Sequence, residues 1–294
     1  MRTLQFVSPI RWMREELEAA VQSLPDWELK SYYGFDVPPL DYNEPFWMEQ
    51  ESLARFNHSL FHHGRPLLEP IAPSPDMLAS LPRSLTGRVV KTVSVLEATS
   101  TVIEWDDLWW KLSASKNSSF LASKRSHQDL FTDLQNAKLP WGAVLQYSTD
   151  FVSPIRSEFR FFVKKRQIAA YSGYLKNGVT IYDGAIFESG EREQAYTAAE
   201  SLLKRIPSHL CPTSFVMDTV MLENGESYIL EFNPTWCSAW YECDLASVLE
   251  CLSLSFYDTT QAKKTFLWEP DQDLTHRYMR NNSYCLPLAN KQDC

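Results

Sequence analysis

The sequence predicts an α+β fold, and three observations carry that prediction. Residues 158–174 and 215–233 read as β-hairpins. Helix-period segments sit between and around them. Single strands do not alternate with helices as a doubly wound parallel sheet requires.

The first hundred residues read as a lobe of their own. Residues 11–24 have an amphipathic helical pattern stopped by Pro25. Residues 36–45 form a proline-containing loop, and residues 44–63 have helical composition ending at Gly64. A proline-rich segment, 66–82, holds a short helix over 76–80, and residues 88–96 alternate weakly, as a strand or a short helix. From Thr101 strands and helices follow in succession. An aromatic-rich strand, 107–112, carries Lys111 near its end, and a helix over 126–138 stops before Pro140. An apolar strand spans 142–147, and a hairpin, 158–163 with 167–174, turns across Lys164, Lys165 and Arg166. A helix over 191–205, the second hairpin and a helix over 244–254 complete the pattern; the tail beyond Tyr257 is rich in Asp, Asn and Lys. The expected division is a small N-terminal domain (1–100), a larger domain (101–256) and a tail (257–294).

At 294 residues, with 44% hydrophobic and 22% charged residues, the chain is long enough for a sizeable core. A net charge of −9 argues against nucleic acid or an anionic membrane as a partner. No apolar run reaches membrane-spanning length, and the N-terminus lacks a secretory pattern. The six cysteines show no C-x-x-C pairing and read as reduced thiols of a cytoplasmic protein.

The second hairpin holds the sharpest chemistry. Asn224-Gly225 is the pair that best accommodates a two-residue type I′ turn. Taken literally, that turn sets Leu222 opposite Ser227 and Asp218 opposite Glu231, with Asn233 on the face of Glu231. Opposed carboxylates there would be roughly 4.5–5.5 Å apart at Cβ and repel each other, unless a cation relieves them. Two carboxylates and an amide oxygen suit Mg²⁺ or Mn²⁺ rather than zinc. The alternative has both acids facing solvent, tied up by nearby Lys or Arg. Met217, Tyr228, Leu230 and Phe232 are expected to fill the other face.

In the first hairpin, alternation puts Glu158 and Arg160 on one face and Phe159, Phe161 and Val163 on the other. The pair is either a mutual salt bridge on a solvated face, or an arginine held by a glutamate and aimed at a phosphate. Lys111 precedes a small-residue loop, 113–119, with Lys116 inside it; such a loop either wraps phosphates or only connects elements. No Walker-type or G-x-G-x-x-G motif is present. His58 and His62 have i, i+4 spacing but no third ligand, so they read as surface histidines rather than a zinc site. Trp236 and Trp240 either floor a pocket or pack in the core.

Taken in order, a strand ending in Lys111, Lys116, Val144-Leu145-Gln146-Tyr147, Glu158-Phe159-Arg160, Asp218 and Glu231-Phe232-Asn233-Pro234 resemble the ATP-grasp superfamily over residues 105–254. Ser157-Glu158-Phe159-Arg160-x-Phe162-Val163 is most similar to a bacterial and phage clade named for two arginines and a lysine, whose members are read as peptide or amide ligases. The resemblance implies an ATP-grasp fold, two α+β subdomains clasping ATP, with a smaller N-terminal domain. It implies Lys111 and Lys116 on the α- and β-phosphates, Gln146, Tyr147 and the backbone near Leu145 at the adenine hinge, Arg160 near the transferring phosphoryl group with Glu158 beside it, and Asp218, Glu231 and Asn233 holding Mg²⁺. The activity implied is carboxylate–amine ligation through an acylphosphate, with small-molecule or peptide acid and amine as partners. Two alternatives are an ATP-binding assembly factor with little turnover and a small-molecule kinase. Two departures from better-known ligases touch the acceptor side: Tyr171-Ser172-Gly173-Tyr174 where an arginine is common, and Pro234-Thr235-Trp236-Cys237 where glycine is common.

Overall fold

Three sheets organise the chain, and the gap between two of them positions the site. The structure, a computed structural model, describes residues 1–33, 44–100, 107–257 and 266–279. The loop expected over 36–45, Cys285, Cys294 and most of the expected tail lie largely or wholly outside the described residues.

The first layer is parallel. Strand β1 (Arg2–Ser8), helix α1 (Arg11–Val21), strand β2 (Trp27–Tyr33), strand β3 (Phe46–Met48) and helix α2 (Gln50–His62) follow in order, with strands arranged β2-β1-β3. The expected helix over 44–63 is therefore two elements. Phe46, Trp47 and Met48 are all buried, and an apolar run buried on both faces suits a strand of a covered parallel sheet. His58 is buried on α2 and is not a surface histidine; its ring stands 4.3 Å from that of His62.

A short helix α3 (Arg83–Thr86) leads to strand β4 (Val90–Ser94) and helix α4 (Val95–Ser100), while residues 76–80 form turns and not the expected helix. Strand β5 (Leu108–Leu112), strand β6 (Ser123–Arg125), helix α5 (His127–Ala137) and strand β7 (Val144–Ser148) complete an antiparallel sheet ordered β4-β7-β5-β6. This sheet starts at Val90, ahead of the boundary expected at residue 101. Helix α5 begins at Ser126, whose hydroxyl accepts from the Asp129 amide, satisfying an end donor the helix cannot pair itself.

The third sheet is antiparallel, ordered β10-β9-β8-β11-β12: β8 (Ile155–Lys164), β9 (Gln167–Lys176), β10 (Val179–Thr180), β11 (Ser214–Leu222) and β12 (Ser227–Asn233). Lys165 and Arg166 link β8 to β9 with φ of 48° and 63°, the left-handed pair of a type I′ turn. Helix α6 (Ser189–Arg205) covers one face, packing Ala199 and Leu202 on Phe159, Phe161 and Met217. Helix α7 (Leu245–Tyr257) and the first layer cover part of the other, around Phe162 and Val216. Period two leaves Glu158 and Arg160 on the face of Phe162, with Arg160 at the margin of that cover, where it meets Ala239. Trp236 and Trp240 are core residues. A short C-terminal helix, α8 (Gln272–Leu274), runs into a wider turn, Thr275–Met279.

The second hairpin keeps its expected pairing by an unexpected route. The Leu222 amide donates to Glu226 and the Gly225 amide to Leu222, so the loop has three residues, with Gly225 at φ 85°. That shifts the register by one: Met221 faces Ser227 and Thr219 faces Ile229. A bulge between Asp218 and Thr219, with Leu230 as the extra residue, shifts it back. Asp218 therefore faces Glu231. The bulge also reassigns faces, so Ile229 enters the core and Leu230 lines a cavity instead of packing with Met217.

Among the described residues no helix is long and apolar enough to cross a membrane, and Cys211, Cys237, Cys243 and Cys251 are free thiols.

Candidate active site

One row of side chains crosses three strands of the third sheet. Arg160 on β8 pairs with Asp218 on β11, and Asp218 pairs with Glu231 on β12. Asp218 is fully buried, and Arg160 grips it with two bonds, Nε to Oδ1 at 2.9 Å and Nη2 to Oδ2 at 2.7 Å. The third guanidinium nitrogen donates to the Ala239 carbonyl at 3.0 Å. The guanidinium also stands over the rings of Tyr174 and Tyr241, at 5.5 and 5.1 Å. Asn233 Nδ2 donates to both acids, at 3.0 Å to Asp218 and 2.9 Å to Glu231. From the facing four-stranded sheet, Lys111 Nζ reaches Glu231 Oε2 at 2.6 Å.

This arrangement relieves the repulsion between the acids with protein cations. The sequence alternative of acids tied up by Lys or Arg describes Lys111 and Arg160, although Asp218 does not face solvent. Glu158 does not hold Arg160: Asp218 takes both of the guanidinium's side-chain bonds, and Glu158 accepts from the Tyr174 hydroxyl at 2.5 Å.

Burial sets the protonation of these acids. It raises the Asp218 carboxyl against the pull of Arg160. It raises Glu158 too, with Tyr174 opposing and the Asp218 and Glu231 charges adding. At Glu231 burial is outweighed by the Lys111 ammonium and the Asn233 bond, which hold the carboxyl well below the usual range.

Two cavities meet at this row. One, of about 630 Å³, runs past Lys111, Lys116, Gln146, Arg160, Glu231 and Asn233 toward the parallel layer. The other, of about 710 Å³, lies between the two antiparallel sheets beside Glu158, Tyr174 and Leu230. Lys111, Gln146 and Glu231 line both. Leu145 and Tyr147 line neither. Their side chains point away from Gln146 into the core under α5, and β7 is paired on both edges, so the backbone at Leu145 is committed as well. The wall that replaces them is the segment after β7, residues 149–154, pinned where Trp109 and Lys124 bond to Asp150 at 2.7 and 2.6 Å.

Sequence reasoning also missed Arg88. This residue is 6% exposed, lines the second cavity, stacks 4.2 Å above Phe151 and donates one bond, to the Leu230 carbonyl. Its Nε and Nη1 have no partner. Burial lowers the guanidinium to about 10 despite Glu231 and Glu158 nearby. A lone arginine in a weakly patterned segment gave no signal in one dimension.

The donor chemistry fits a hard divalent cation: two carboxylates and one amide converge, with no sulfur or imidazole. Asn233 now presents its nitrogen between the acids, so such an ion would require the amide to turn over and Lys111 to leave Glu231. Among the described residues no cluster of three His, Cys, Asp or Glu forms a ready-made cage.

Residues 125–251 match the family model described as "ATP-grasp domain, R2K clade family 2". They are an ATP-grasp domain. The matched part includes Gln146, Glu158, Arg160, Asp218, Glu231 and Asn233, while Lys111, Lys116 and Arg88 precede it. The ATP-grasp fold extends further in three dimensions. D-alanyl-alanine synthetase A from Vibrio cholerae O1 biovar eltor superposes with a TM-score of 0.51 at 10% identity, over 88% of this chain and 99% of that one. D-cycloserine synthetase DcsG superposes with a TM-score of 0.50 at 12% identity, over 86% and 98%. At such identities the likeness speaks for the ATP-grasp fold alone. No curated protein matches the chain in sequence.

Proposed function

We propose that this protein is an ATP- and Mg²⁺-dependent carboxylate–amine ligase working through an acylphosphate. One observation carries the proposal: Arg160, Glu231 and Asn233, backed by the fully buried Asp218, border the place where two cavities of nucleotide and small-molecule size meet between two sheets. The second cavity takes the nucleotide, its base and sugar between residues 149–154, Arg88 and Leu230. The first takes the acid and the amine. A carboxylate oxygen bonds to the γ-phosphorus as ADP leaves; the amine then bonds to the acyl carbon, phosphate leaves, and the amine gives up a proton.

Phosphoryl transfer needs positioning and charge neutralisation rather than a protein nucleophile. Asp218, Glu231 and Asn233 would hold Mg²⁺, which supplies positive charge at the β- and γ-phosphates. Lys111, released from Glu231, fixes the phosphate chain, and Lys116 approaches it from the loop. Arg160 retains one N–H on each terminal nitrogen for the acid or the transferred group. Glu158, its carboxyl raised by burial, accepts from the Tyr174 hydroxyl at the edge of the second cavity.

The test is release of ADP by the purified chain with ATP and Mg²⁺ over a panel of acids and amines. Turnover requires both co-substrates, and Glu231→Gln abolishes it. ADP release with an acid alone, giving a stable phosphorylated product, would identify a kinase instead. One observation favours a binding role with little turnover: Arg160, Asp218, Lys111 and Glu231 are already mutually paired. ATP bound and recovered intact with every acid and amine would establish that second reading.

A further inference from the structure

The loop that carries Lys116, residues 113–119, is built of serines, one alanine and one asparagine around that lysine. Such small side chains offer little surface with which a loop can fix its own backbone. Ser113 anchors the start, its amide donating to the Val144 carbonyl at 2.9 Å and its hydroxyl to the Pro75 carbonyl at 2.8 Å. The second half turns on Asn117, which is buried. The Ser119 amide donates to Asn117 Oδ1 and the Phe120 amide to the Asn117 carbonyl, both at 2.9 Å. The other end of that side chain leaves the loop: Asn117 Nδ2 lies 3.3 Å from both carboxylate oxygens of Asp273, a buried residue of α8.

One arginine completes the attachment. Arg277 donates from Nε to Asp273 at 2.8 Å, from Nη1 to Glu51 of α2 at 2.9 Å and from Nη2 to the Lys116 carbonyl at 3.1 Å. Its planar fork thus joins the C-terminal turn, α2 and the loop. The C-terminal segment is itself footed elsewhere. Leu267 bridges to Ile71, the Trp268 amide donates to the Pro70 carbonyl at 2.8 Å, and the Gln272 side chain fills the space that a Cβ at Gly142, just ahead of β7, would need. Held this way, the loop keeps the Ser115 hydroxyl buried and without a partner at the wall of the first cavity. A buried unpaired hydroxyl is costly, so the loop needs an outside hold to stay there. Lys116, Asn117, Asp273 and Arg277 all lie outside residues 125–251, so this attachment belongs to the chain beyond the matched domain.

We infer that Asp273 and Arg277 are positioning residues: they fix the loop 113–119 in the arrangement that presents Lys116 to the phosphate chain, so that nucleotide affinity is set in part from the C-terminal turn. A loop ordered before the ligand arrives costs less to order when it binds. The hold on the loop stands without a nucleotide; its effect on the phosphates rests on the ATP site proposed above.

The experiment pairs hydrogen–deuterium exchange of the ligand-free full chain with isothermal titration of AMP-PNP and Mg²⁺. In Arg277→Met the amides of residues 113–120 exchange about tenfold faster, while those of α5 keep their rate. AMP-PNP binds about tenfold more weakly. Lys116→Ala weakens AMP-PNP binding in the parent and has little further effect in Arg277→Met, because a lysine on a loosened loop has already lost its aim. Arg277→Lys and Asp273→Asn give smaller changes in the same direction, and they carry the test if Arg277→Met does not fold. Unchanged exchange in the loop, or exchange that rises equally in α5, overturns the inference. So do an AMP-PNP affinity that Arg277→Met leaves unchanged, and effects of Lys116→Ala and Arg277→Met that simply add. Faster loop exchange in the variants of a chain that does not bind AMP-PNP at all supports the hold on the loop while ending the ATP reading.

Discussion

Asparagine in place of Asp218 keeps the shape of the side chain and removes the counter-charge of Arg160. The guanidinium is buried and makes two charge-assisted bonds to Asp218, at 2.7 and 2.9 Å; the asparagine Oδ1 and the Ala239 carbonyl would remain as neutral acceptors, with no counter-charge. Breaking one side of a buried ion pair costs about 3–5 kcal/mol, because the remaining charge is left without compensation. The Tyr174 and Tyr241 rings offset some of this, since a cation over an aromatic face gains about 0.5–2 kcal/mol. The lower end, about 3 kcal/mol, is therefore expected, a fall in Tm of roughly 6–12 °C for a domain of this general size. Differential scanning calorimetry of ligand-free protein at neutral pH measures it. The control is Arg160→Met with Asp218→Leu, which replaces the pair by apolar groups and should recover most of the loss. If Asp218→Asn melts within about 2 °C of the parent, or the double variant melts below the single one, Arg160 does not depend on Asp218 as described.

Three further outcomes follow from the same geometry. Burial raises Glu158, so the native state holds its proton more readily than the unfolded chain and stability from this group grows as pH falls through the raised folded-state value toward the unfolded value of about 4.3; Glu158→Gln should remove that part of the pH dependence, and a Tm profile unchanged by the substitution on the acid side of neutrality would reject it. Gly173→Ala would put a Cβ 2.5 Å from the Phe187 ring, and a shift of the urea midpoint equivalent to about 1–3 kcal/mol is expected. Arg88→Met removes the guanidinium that stacks on Phe151 together with its free donors but leaves an apolar side chain in place of a buried charge, so AMP-PNP affinity should fall at least tenfold while the melting temperature holds or rises; unchanged affinity would remove Arg88 from the nucleotide pocket.

How much was legible in one dimension depended on how local the cause was. The β8–β9 hairpin, helix α5 with its Ser126 cap, and the α6 pattern were legible because alternation, capping and periodicity act within a few residues. The pairing of Asp218 with Glu231 was reached from a turn one residue too short, and the bulge at Leu230 cancelled the error. Bulges leave no compositional mark, so Leu230 was assigned to the wrong face. Strand β3 was hidden because Phe46-Trp47-Met48 suits a helix equally well until β1 is beside it. The motif at Gln146 extended to Leu145 and Tyr147 only by ignoring that alternation sends those two side chains under α5. Arg88 and the 149–154 wall matter through neighbours 26 or more residues away, which no local pattern encodes.

The Lys111–Glu231 bond joins residues 120 positions apart and spans the gap between two sheets. Under the proposed function, a nucleotide arriving there would not settle into a vacant socket; it would trade places with an internal counter-ion, and its apparent affinity would be a difference between two sets of attractions, smaller than either. Swapping Lys111 for a neutral residue thus subtracts a hand that holds the guest and, at the same moment, the latch the guest must lift.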